Sequence, residues 1–456
     1  MEEKVKKLKD FFNEGKTFNV NFRIEKLKAF KEEILKNYDA LKDAFKEDYN
    51  KCEFDFVATE LGMVISELNF LIKHTKKLAR PRRKRTSLIN FTSHGYIVPE
   101  PYGVCLIVSP WNYPLQLSLI PLVGAIATGN VVVLKLSANT PKISNVIKKI
   151  ISNVFEENYV YATTAEGEER EKLFDVRYDY IFLTGSPKVA KIAMEKQAKF
   201  LTPLTLELGG KSPCIVDEGA NIEKSAKRAV WGKFLNAGQT CVAPDYFLVH
   251  KNVKQQFICK VKEFINKFYY KDGLLSEDFT QIVNEKNTNR LKEYCENMQI
   301  VFGGNASGRT FEPTILDDVK FEDKVMQEEI FGPIMPIIEF ENFDEIVFEI
   351  KNREKPLALY YFGNNKAHIS KIKREVSFGG GCINDCIMHL TEHSLPFGGV
   401  GNSGMGNYHG KKSFEAFSHY KSILVKTKIE LDMKYPPYNK NKLKLIKFFM
   451  GVKKRK

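Results

Sequence analysis

The chain has 456 residues, a formal net charge of +14 and 43% hydrophobic residues. This length predicts two large domains or three smaller ones, and the composition supplies enough apolar side chains for complete cores. The basic residues are dispersed and no basic motif is interleaved with aromatic residues, which argues against a nucleic-acid binder. The N-terminal segment is charged and no apolar run reaches the roughly 18 residues of a membrane span, so we expect neither a signal peptide nor a transmembrane helix.

Eight cysteines are scattered along the chain without paired spacing, which favours free thiols in a reducing, cytoplasmic compartment. Cys382 and Cys386 are close in sequence, but no second pair or histidine ligand accompanies them, so we interpret both as packing residues. Histidines 389, 393, 409 and 419 lack metal-ligand spacing. The sequence therefore predicts no metal site.

The first hundred residues have two different patterns. Apolar residues recur at intervals of three and four, as in Leu27, Phe30 and Ile34, which predicts helices over residues 24–79. Residues 86–103 have the composition of extended segments, and we expect a turn at His94-Gly95.

From Val104 the chain alternates between short apolar runs and amphipathic stretches. The predicted strands are 104–108, 131–136, 158–163 and 179–184, and the predicted helices are 115–128, 142–155 and 187–199. This alternation indicates βαβ units and a doubly wound parallel sheet, an α/β fold. Such sheets bind ligands at the carboxyl ends of their strands, which places Lys135 and Gly185-Ser186 at the ligand-binding edge.

A second α/β region begins near Gly209. Its predicted strands are 246–250 and 357–362, and its predicted helices are 253–268, 284–298 and 366–374. The glycine-rich segment 396–406 has no strand-then-helix context, so we interpret it as a structural loop bordering the active site rather than a phosphate cradle.

Cys241 lies in a small, flexible Asn-Ala-Gly-Gln-Thr loop after a helix-like run from Ile222 to Leu235. Such a loop can bring a thiol and a backbone N–H to one point, as required when a thiolate attacks a carbonyl and the oxyanion is hydrogen-bonded. A single cysteine in a polar loop also fits a thiol without function. The interpretation therefore depends on other segments.

Three further segments carry candidate functional groups. Glu207 ends a strand-like run before Gly209-Gly210 and could act as a general base, although a solvent-facing glutamate fits the same pattern. Asn112 lies between two prolines and could donate to an oxyanion, or could form an Asx turn. The segment 327–333 combines two acids with an aromatic residue, which is also compatible with a solvated loop.

Five long segments, in this order, resemble the aldehyde dehydrogenase superfamily, and in detail its class 3 and fatty aldehyde dehydrogenase branch. The segments are LTPLTLELGGKSPC, WGKFLNAGQTCVAPDY, VMQEEIFGP, NREKPLALY and HSLPFGGVGNSGMGNYHGKKSFEAFSH. The resemblance covers residues 20–437.

The resemblance implies a role for each candidate residue. Cys241 would be the nucleophile, Glu207 the general base and Asn112 an oxyanion donor. The residues implied in cofactor binding are Trp111, Lys135, Gly185, Ser186, Glu329 and Phe331. The implied parts are a Rossmann-like cofactor domain (1–80 and 104–208), an α/β catalytic domain (209–417) and a small β oligomerisation arm (81–103 and 418–436), which suggests a homodimer.

Two features bear on the cofactor. The turn at Gly185 lacks the G-x-G-x-x-G of ordinary dinucleotide folds, and Ala190 stands where many members of the family have a further glycine. Ala138 occupies the position of a glutamate that commonly binds the adenosine ribose and disfavours a 2′-phosphate, whereas Lys135 is retained. We therefore expect the cofactor to be NAD, NADP or both.

The resemblance implies NAD(P)-dependent oxidation of aldehydes, of medium- or long-chain aliphatic or aromatic type, to carboxylic acids. Two alternatives stay open: transfer of the acyl group to coenzyme A, which Glu207 argues against, and a silent structural protein of the same fold.

The tail, residues 437–456, combines lysines with Leu445, Phe448, Phe449 and Val452 on one helical face. We expect it to contact an anionic membrane surface peripherally or to cover the substrate entrance.

Overall fold

A computed structural model describes residues 1–430 and 432–452 as an α/β protein with two parallel sheets and a small third sheet. A short π-helical turn spans Val57–Leu61. The α-helices are Glu2–Asn13, Val20–Lys36, Tyr38–Tyr49, Glu53–Phe56, Gly62–Leu78, Gln116–Thr128, Pro141–Val154, Gly167–Leu173, Pro187–Ala198, Ile222–Phe234, Lys254–Tyr269, Glu285–Cys295, Phe343–Asn352, Lys366–Glu375, Lys411–Ala416 and Lys440–Phe449.

The first sheet is the predicted doubly wound one. Its strands, in spatial order, are Gly404–Met405, Leu204–Glu207, Tyr180–Thr184, Val104–Val108, Val131–Lys135 and Val160–Thr163. All are parallel except Gly404–Met405, which pairs antiparallel with Leu204–Glu207. Residues 104–108 and 131–135 are buried throughout, as expected for strands covered by helices on both faces. Glu207 and Lys135 therefore both stand at the carboxyl edge.

The second sheet has seven strands. Their spatial order is Gln299–Phe302, Thr314–Asp317, Ile334–Phe340, Tyr246–His250, Pro213–Val216, Ala358–Phe362 and Gly380–Ile383. Only the outer strand Gln299–Phe302 is antiparallel to its neighbour. Two small hairpins, Tyr270–Lys271 with Leu274–Leu275 and Ala306–Ser307 with Thr310–Phe311, lie outside both large sheets. The glycine-rich segment leaves this half of the chain and contributes Gly404–Met405 to the first sheet, directly beside Glu207.

The third sheet consists of Arg82–Lys84, His94–Pro101 and Ser418–Val425. The last two strands pair antiparallel in continuous register, from His94 with Val425 to Pro101 with Ser418. The predicted turn at His94-Gly95 is wrong, because both residues lie inside this strand. Pairing with residues 424–425 occupies their backbone groups, and the chain reverses before them, where Thr92 has φ 75°.

The two ends of the chain are helical. The charged N-terminal segment forms the amphipathic helix Glu2–Asn13, which buries Leu8 and Phe11 in the core. The tail forms the helix Lys440–Phe449, in which no residue is buried, and Val452 follows it. Residues 453–456 of the expected tail lie outside the described residues. Across the described ranges, no helix has the length and apolar character needed to cross a bilayer.

Candidate active site

Cys241 follows a tight change of chain direction at the end of the helix Ile222–Phe234. Asn236, Ala237 and Gly238 all have positive φ values, of 54°, 51° and 71°. A Cβ atom on Gly238 would lie 2.2 Å from the carbonyl oxygen of Gly332, so only glycine fits there. These three residues follow the end of the helix and turn the chain towards Cys241.

The loop before Cys241 is not flexible, contrary to our expectation, because residues 236–240 are all buried. The side chain of Gln239 donates to the carbonyl oxygens of Asn236 and Gln281, both at 3.1 Å, and accepts from the Val283 N–H at 2.9 Å. Hydrogen bonds from Gln239 to three backbone groups tie this buried loop to other parts of the chain and restrict its conformation. The position of Cys241 is therefore fixed by contacts within the protein.

Asn112 is tied to the same loop. Its Nδ2 donates to the carbonyl oxygen of Gln239 at 3.1 Å, and the Nδ2 of Asn236 donates to the carbonyl oxygen of Asn112 at 3.0 Å. The backbone N–H groups of Cys241 and Val242 are directed at the Cys241 thiol. A carboxamide and backbone N–H groups around one sulfur atom can together stabilise an oxyanion formed there.

Burial dominates the electrostatics of the two reactive groups. It raises the pKa of the Cys241 thiol, and the nearby carboxylates of Glu329 and Glu207 raise it further. Burial likewise raises the pKa of Glu207 well above its usual range. Neither carboxyl oxygen of Glu207 has a hydrogen-bond partner among the described residues, although the side chain is 2% exposed. An unpaired buried carboxyl group indicates a functional site rather than a structural one.

Two cavities meet at these residues. One, of about 280 Å³, is lined by Asn112, Trp111, Gly185, Ser186, Glu207, Cys241, Glu329 and Phe331. The other, of about 350 Å³, shares Glu207 and Cys241, and its further lining includes the apolar side chains Phe54, Met63, Trp231, Leu235, Ile387, Met388, Leu390 and Phe397. Cys241 and Glu207 are thus accessible from a mixed polar chamber on one side and an apolar chamber on the other.

The mixed chamber has features that suit a dinucleotide. The helix Pro187–Ala198 begins there, and its N-cap residue Ser186 makes no side-chain capping hydrogen bond, so its N-terminal N–H groups can bind a phosphate. Gly209 lies against Glu329, because a Cβ atom on Gly209 would be 2.0 Å from Oε2 of Glu329. Trp111 and Phe331 pack edge to face with their ring centroids 5.2 Å apart. Burial raises the pKa of Glu329 to about 8, with Asp245 adding to the effect.

Lys135 is the one predicted residue that does not line this chamber. It lies at the end of the strand Val131–Lys135 and is 7% exposed. Burial lowers its pKa to about 8, and the nearby guanidinium of Arg170 lowers it further. Two positive groups, Lys135 and Arg170, and one carboxylate, Glu166, lie near the exit of this strand, and Ala138 adds no further negative charge.

The sequence did not point to several residues that line the site. Asn287 and Arg290 line the mixed chamber, and Tyr113, Thr240 and Trp231 line the apolar one. Trp231 and Thr240 precede Cys241 in the segment WGKFLNAGQTCVAPDY, so proximity in sequence could have indicated them. Among the residues that the structure covers, no group of three or more His, Cys, Asp or Glu residues could hold a metal ion.

The chain was compared with known protein families and structures. The profile of the aldehyde dehydrogenase family matches residues 1–423. A solved structure of Staphylococcus aureus AldH in a substrate-bound state is similar over 98% of this chain and 99% of that chain, with a TM-score of 0.96 and 43% sequence identity.

Curated relatives match at similar levels. The chain is 44% identical to 4,4'-diaponeurosporen-aldehyde dehydrogenase of Staphylococcus aureus over 454 residues, 98% of this chain and 99% of that protein. It is 42% identical to the dimeric NADP-preferring aldehyde dehydrogenase of Rattus norvegicus over 438 residues, 95% and 97% of the two chains. It is 40% identical to aldehyde dehydrogenase family 3 member A2 of Rattus norvegicus over 455 residues, 99% and 94% of the two chains.

Proposed function

Because the chain belongs to the aldehyde dehydrogenase family, we propose that it oxidises medium- or long-chain aliphatic or aromatic aldehydes through Cys241. The protein is an NAD(P)-dependent enzyme that converts aldehydes to carboxylic acids. The observation that carries the proposal is the meeting of two chambers at one thiol and one unpaired buried carboxyl group.

Cys241 begins the reaction as the nucleophile. Its thiolate adds to the aldehyde carbonyl carbon and forms a thiohemiacetal. The negative charge that develops on the carbonyl oxygen is stabilised by Nδ2 of Asn112 and by the backbone N–H of Cys241. The fixed loop supports this role, because donors that are already in place need no reorganisation during the reaction.

In this proposal the mixed chamber would hold the cofactor: Ser186, at the helix start, would bind its phosphates, and Glu329, Trp111 and Phe331 would contact its nicotinamide part. When bound there, NAD or NADP supplies the hydride acceptor that allows the thiohemiacetal to become a thioester. Glu207 then takes a proton from a water molecule, which attacks the thioester carbonyl. The carboxylic acid is released and the Cys241 thiolate is regenerated.

The apolar chamber supports the choice of substrate. Side chains such as Phe54, Met63 and Trp231 can bury hydrocarbon or an aromatic ring, and each buried CH₂ group contributes about 0.8 kcal/mol. One relative is named for its aldehyde, 4,4'-diaponeurosporen-aldehyde. We propose that chain length, rather than polar recognition, sets the preference among aldehydes.

The enzyme is further proposed to act as a homodimer. The strand Ser418–Val425 is an edge of the third sheet, and Ile423, Leu424 and Val425 are exposed on it. One relative is dimeric by name.

The proposed location is the cytoplasm. All eight cysteines are free, which supports a reducing, cytoplasmic environment. The exposed basic tail supports peripheral contact with a membrane face.

The test is a reduced-cofactor absorbance assay with aldehydes of increasing chain length and with benzaldehyde. We expect kcat/KM to increase with chain length, because the longer hydrocarbon buries more apolar surface. The Cys241→Ala variant should retain less than about a hundredth of the wild-type turnover while it still binds cofactor.

Coenzyme A provides the control for the acylating alternative. The carboxylic acid should appear as product whether or not coenzyme A is present. An acyl-coenzyme A product would contradict hydrolysis, turnover by Cys241→Ala would contradict the assigned nucleophile, and failure of the wild type to oxidise any aldehyde would favour a structural protein of this fold.

A further inference from the structure

Lys51 and Glu60 face each other in the protein interior behind the active site, where burial raises the pKa of Glu60 to about 7 and lowers the pKa of Lys51. Their side chains are 1% and 0% exposed, and Nζ lies 3.6 Å from Oε1. Within the described chain, neither of these two atoms has a hydrogen-bond partner. Removing two charges from water costs several kcal/mol per ion, and such a pair often stabilises a protein less than apolar residues would. A pair of this kind therefore calls for a role other than stability.

Glu60 binds the start of the helix that follows Asn112. Its Oε2 accepts a hydrogen bond from the Gln116 N–H at 2.8 Å, and the Leu115 N–H also faces this carboxyl group. The helix Gln116–Thr128 makes no side-chain capping bond of its own. A carboxylate at a helix N-terminus satisfies free N–H groups and interacts favourably with the helix dipole. Glu60 thereby fixes the helix start at which the turn containing Asn112 ends.

Lys51 contacts Tyr113, which directly follows Asn112 in the same turn. Its ammonium group lies 4.8 Å from the ring centroid of Tyr113. The Tyr113 hydroxyl is hydrogen-bonded to Oγ1 of Thr240 at 2.7 Å, and Thr240 precedes Cys241. Tyr49, two residues before Lys51, donates its hydroxyl hydrogen to the carbonyl oxygen of Trp111. The segment that carries Lys51 is thus linked to both sides of the reaction centre.

We propose that the Lys51–Glu60 pair is a positioning device that holds the Asn112 carboxamide in register with the Cys241 thiol. The inference rests on the proposed roles of Asn112 as oxyanion donor and of Cys241 as nucleophile. Glu60 fixes the helix start after Asn112, and Lys51 neutralises Glu60 while it supports Tyr113 against Thr240. Neither side chain lines either chamber, so both act through other residues. A displacement of about 1 Å in such an arrangement can cost about a hundredfold in rate.

A double-mutant cycle tests the inference. Glu60→Ala and Glu60→Asp are each made in the wild type and in an Asn112→Ala background, and the burst rate of reduced-cofactor formation is measured with KM for the aldehyde. Glu60→Asp keeps the charge beside Lys51 but withdraws the acceptor from Gln116, so it remains informative if Glu60→Ala does not fold. Glu53→Ala and Glu53→Asp are the matched controls, because Glu53 is an exposed carboxylate in the preceding helix.

We expect Glu60→Ala to lower the burst rate about ten- to a hundredfold and Glu60→Asp about fivefold, with KM changed less than about threefold. In the Asn112→Ala background both effects should shrink to less than about threefold, because the group being positioned is gone. The Glu53 variants should behave as the wild type.

Equal losses in both backgrounds, or a lowered melting temperature with an unchanged burst rate, would overturn the positioning role and leave the pair purely structural. An unchanged burst rate in Asn112→Ala itself would instead overturn the proposed role of Asn112, which distinguishes failure of the proposed function from failure of this inference.

Discussion

Cys241 and Glu207 both need to lose a proton before they can react, and burial opposes that loss in both. It raises the pKa of the thiol and the pKa of the carboxyl group because each ionised form carries a charge away from water. The fraction of reactive thiolate and carboxylate therefore increases with pH. We expect kcat/KM, which reports the free enzyme, to increase with pH above about pH 7, because the raised pKa of Cys241 leaves most of the thiol protonated there. A pH profile that falls over this range would contradict these assignments.

Glu207→Gln separates the two steps at the level of a single residue. If Glu207 activates the deacylating water, the variant should give a burst of reduced cofactor and then stall, with steady-state turnover reduced about 10²- to 10⁴-fold. Rapid quenching should trap the thioester on Cys241.

Glu329→Gln is the matched comparison for Glu207→Gln. Glu329 is a second buried carboxyl group in the same chamber, with its pKa raised to about 8 by burial. If Glu329→Gln stalls as an acyl-enzyme and Glu207→Gln does not, the general base is Glu329.

The segment that joins the strand Val131–Lys135 to the helix Pro141–Val154 decides cofactor choice in our proposal. Lys135 and Arg170 supply two positive charges near this exit against the one carboxylate of Glu166, and Ala138 adds no carboxylate that would repel a 2′-phosphate. We expect kcat/KM for NAD to exceed that for NADP by no more than about tenfold, or about 1.4 kcal/mol.

Ala138→Glu should increase that preference, and Lys135→Met should weaken NADP more than NAD. Dissociation constants of the reduced cofactors, measured by fluorescence titration, check the effect without turnover. A wild-type preference above about a thousandfold would show that this segment does not govern the choice.

At the same scale, the sequence predicted four strands of the first sheet to within two residues at each end, whereas it interpreted the segment that contains the strand Gly404–Met405 as a loop. Residues 104–108 and 131–135 are continuous apolar runs because both faces of each strand are buried, and such runs are recognisable from sequence alone. The turn at His94-Gly95 was predicted wrongly because its conformation is set by pairing with residues more than 300 positions away. Local composition carries no information about a distant strand.

The candidate site, like the fold, has features that local sequence predicts and features that depend on distant contacts. Cys241 and Glu207 lie in long local motifs, so the sequence indicated them. The rigidity of the loop before Cys241 depends on Gln239, whose partners Gln281 and Val283 come from another part of the chain. The chamber that surrounds the thiol likewise collects side chains from segments that are far apart in sequence. Sequence could indicate the candidate groups Cys241 and Glu207 but not the contacts that hold them in place.

On the scale of the whole molecule, the helix Lys440–Phe449 leaves most of its apolar side chains exposed, and none of its residues is buried. Leu443, Leu445, Phe448 and Met450 are between 45% and 78% exposed. Lysines 440, 442, 444 and 447 lie on the same short helix. Apolar residues next to lysines suit the surface of an anionic bilayer, where each lysine contributes about 1 kcal/mol. We propose that the tail delivers the active site to membrane-borne aldehydes.

The test is co-sedimentation with anionic and zwitterionic vesicles at low and high salt, for the full chain and for a form lacking residues 438–456. The full chain should partition to anionic vesicles at low salt and dissociate at high salt, whereas the truncated form should stay in solution. Replacing the four lysines by glutamine should weaken binding at least about tenfold, because their charges supply most of the attraction. Light scattering should give a dimer for both forms. Equal sedimentation of the two forms would contradict membrane binding, and a changed KM for long aldehydes after truncation would then identify the tail as a cover over the substrate entrance.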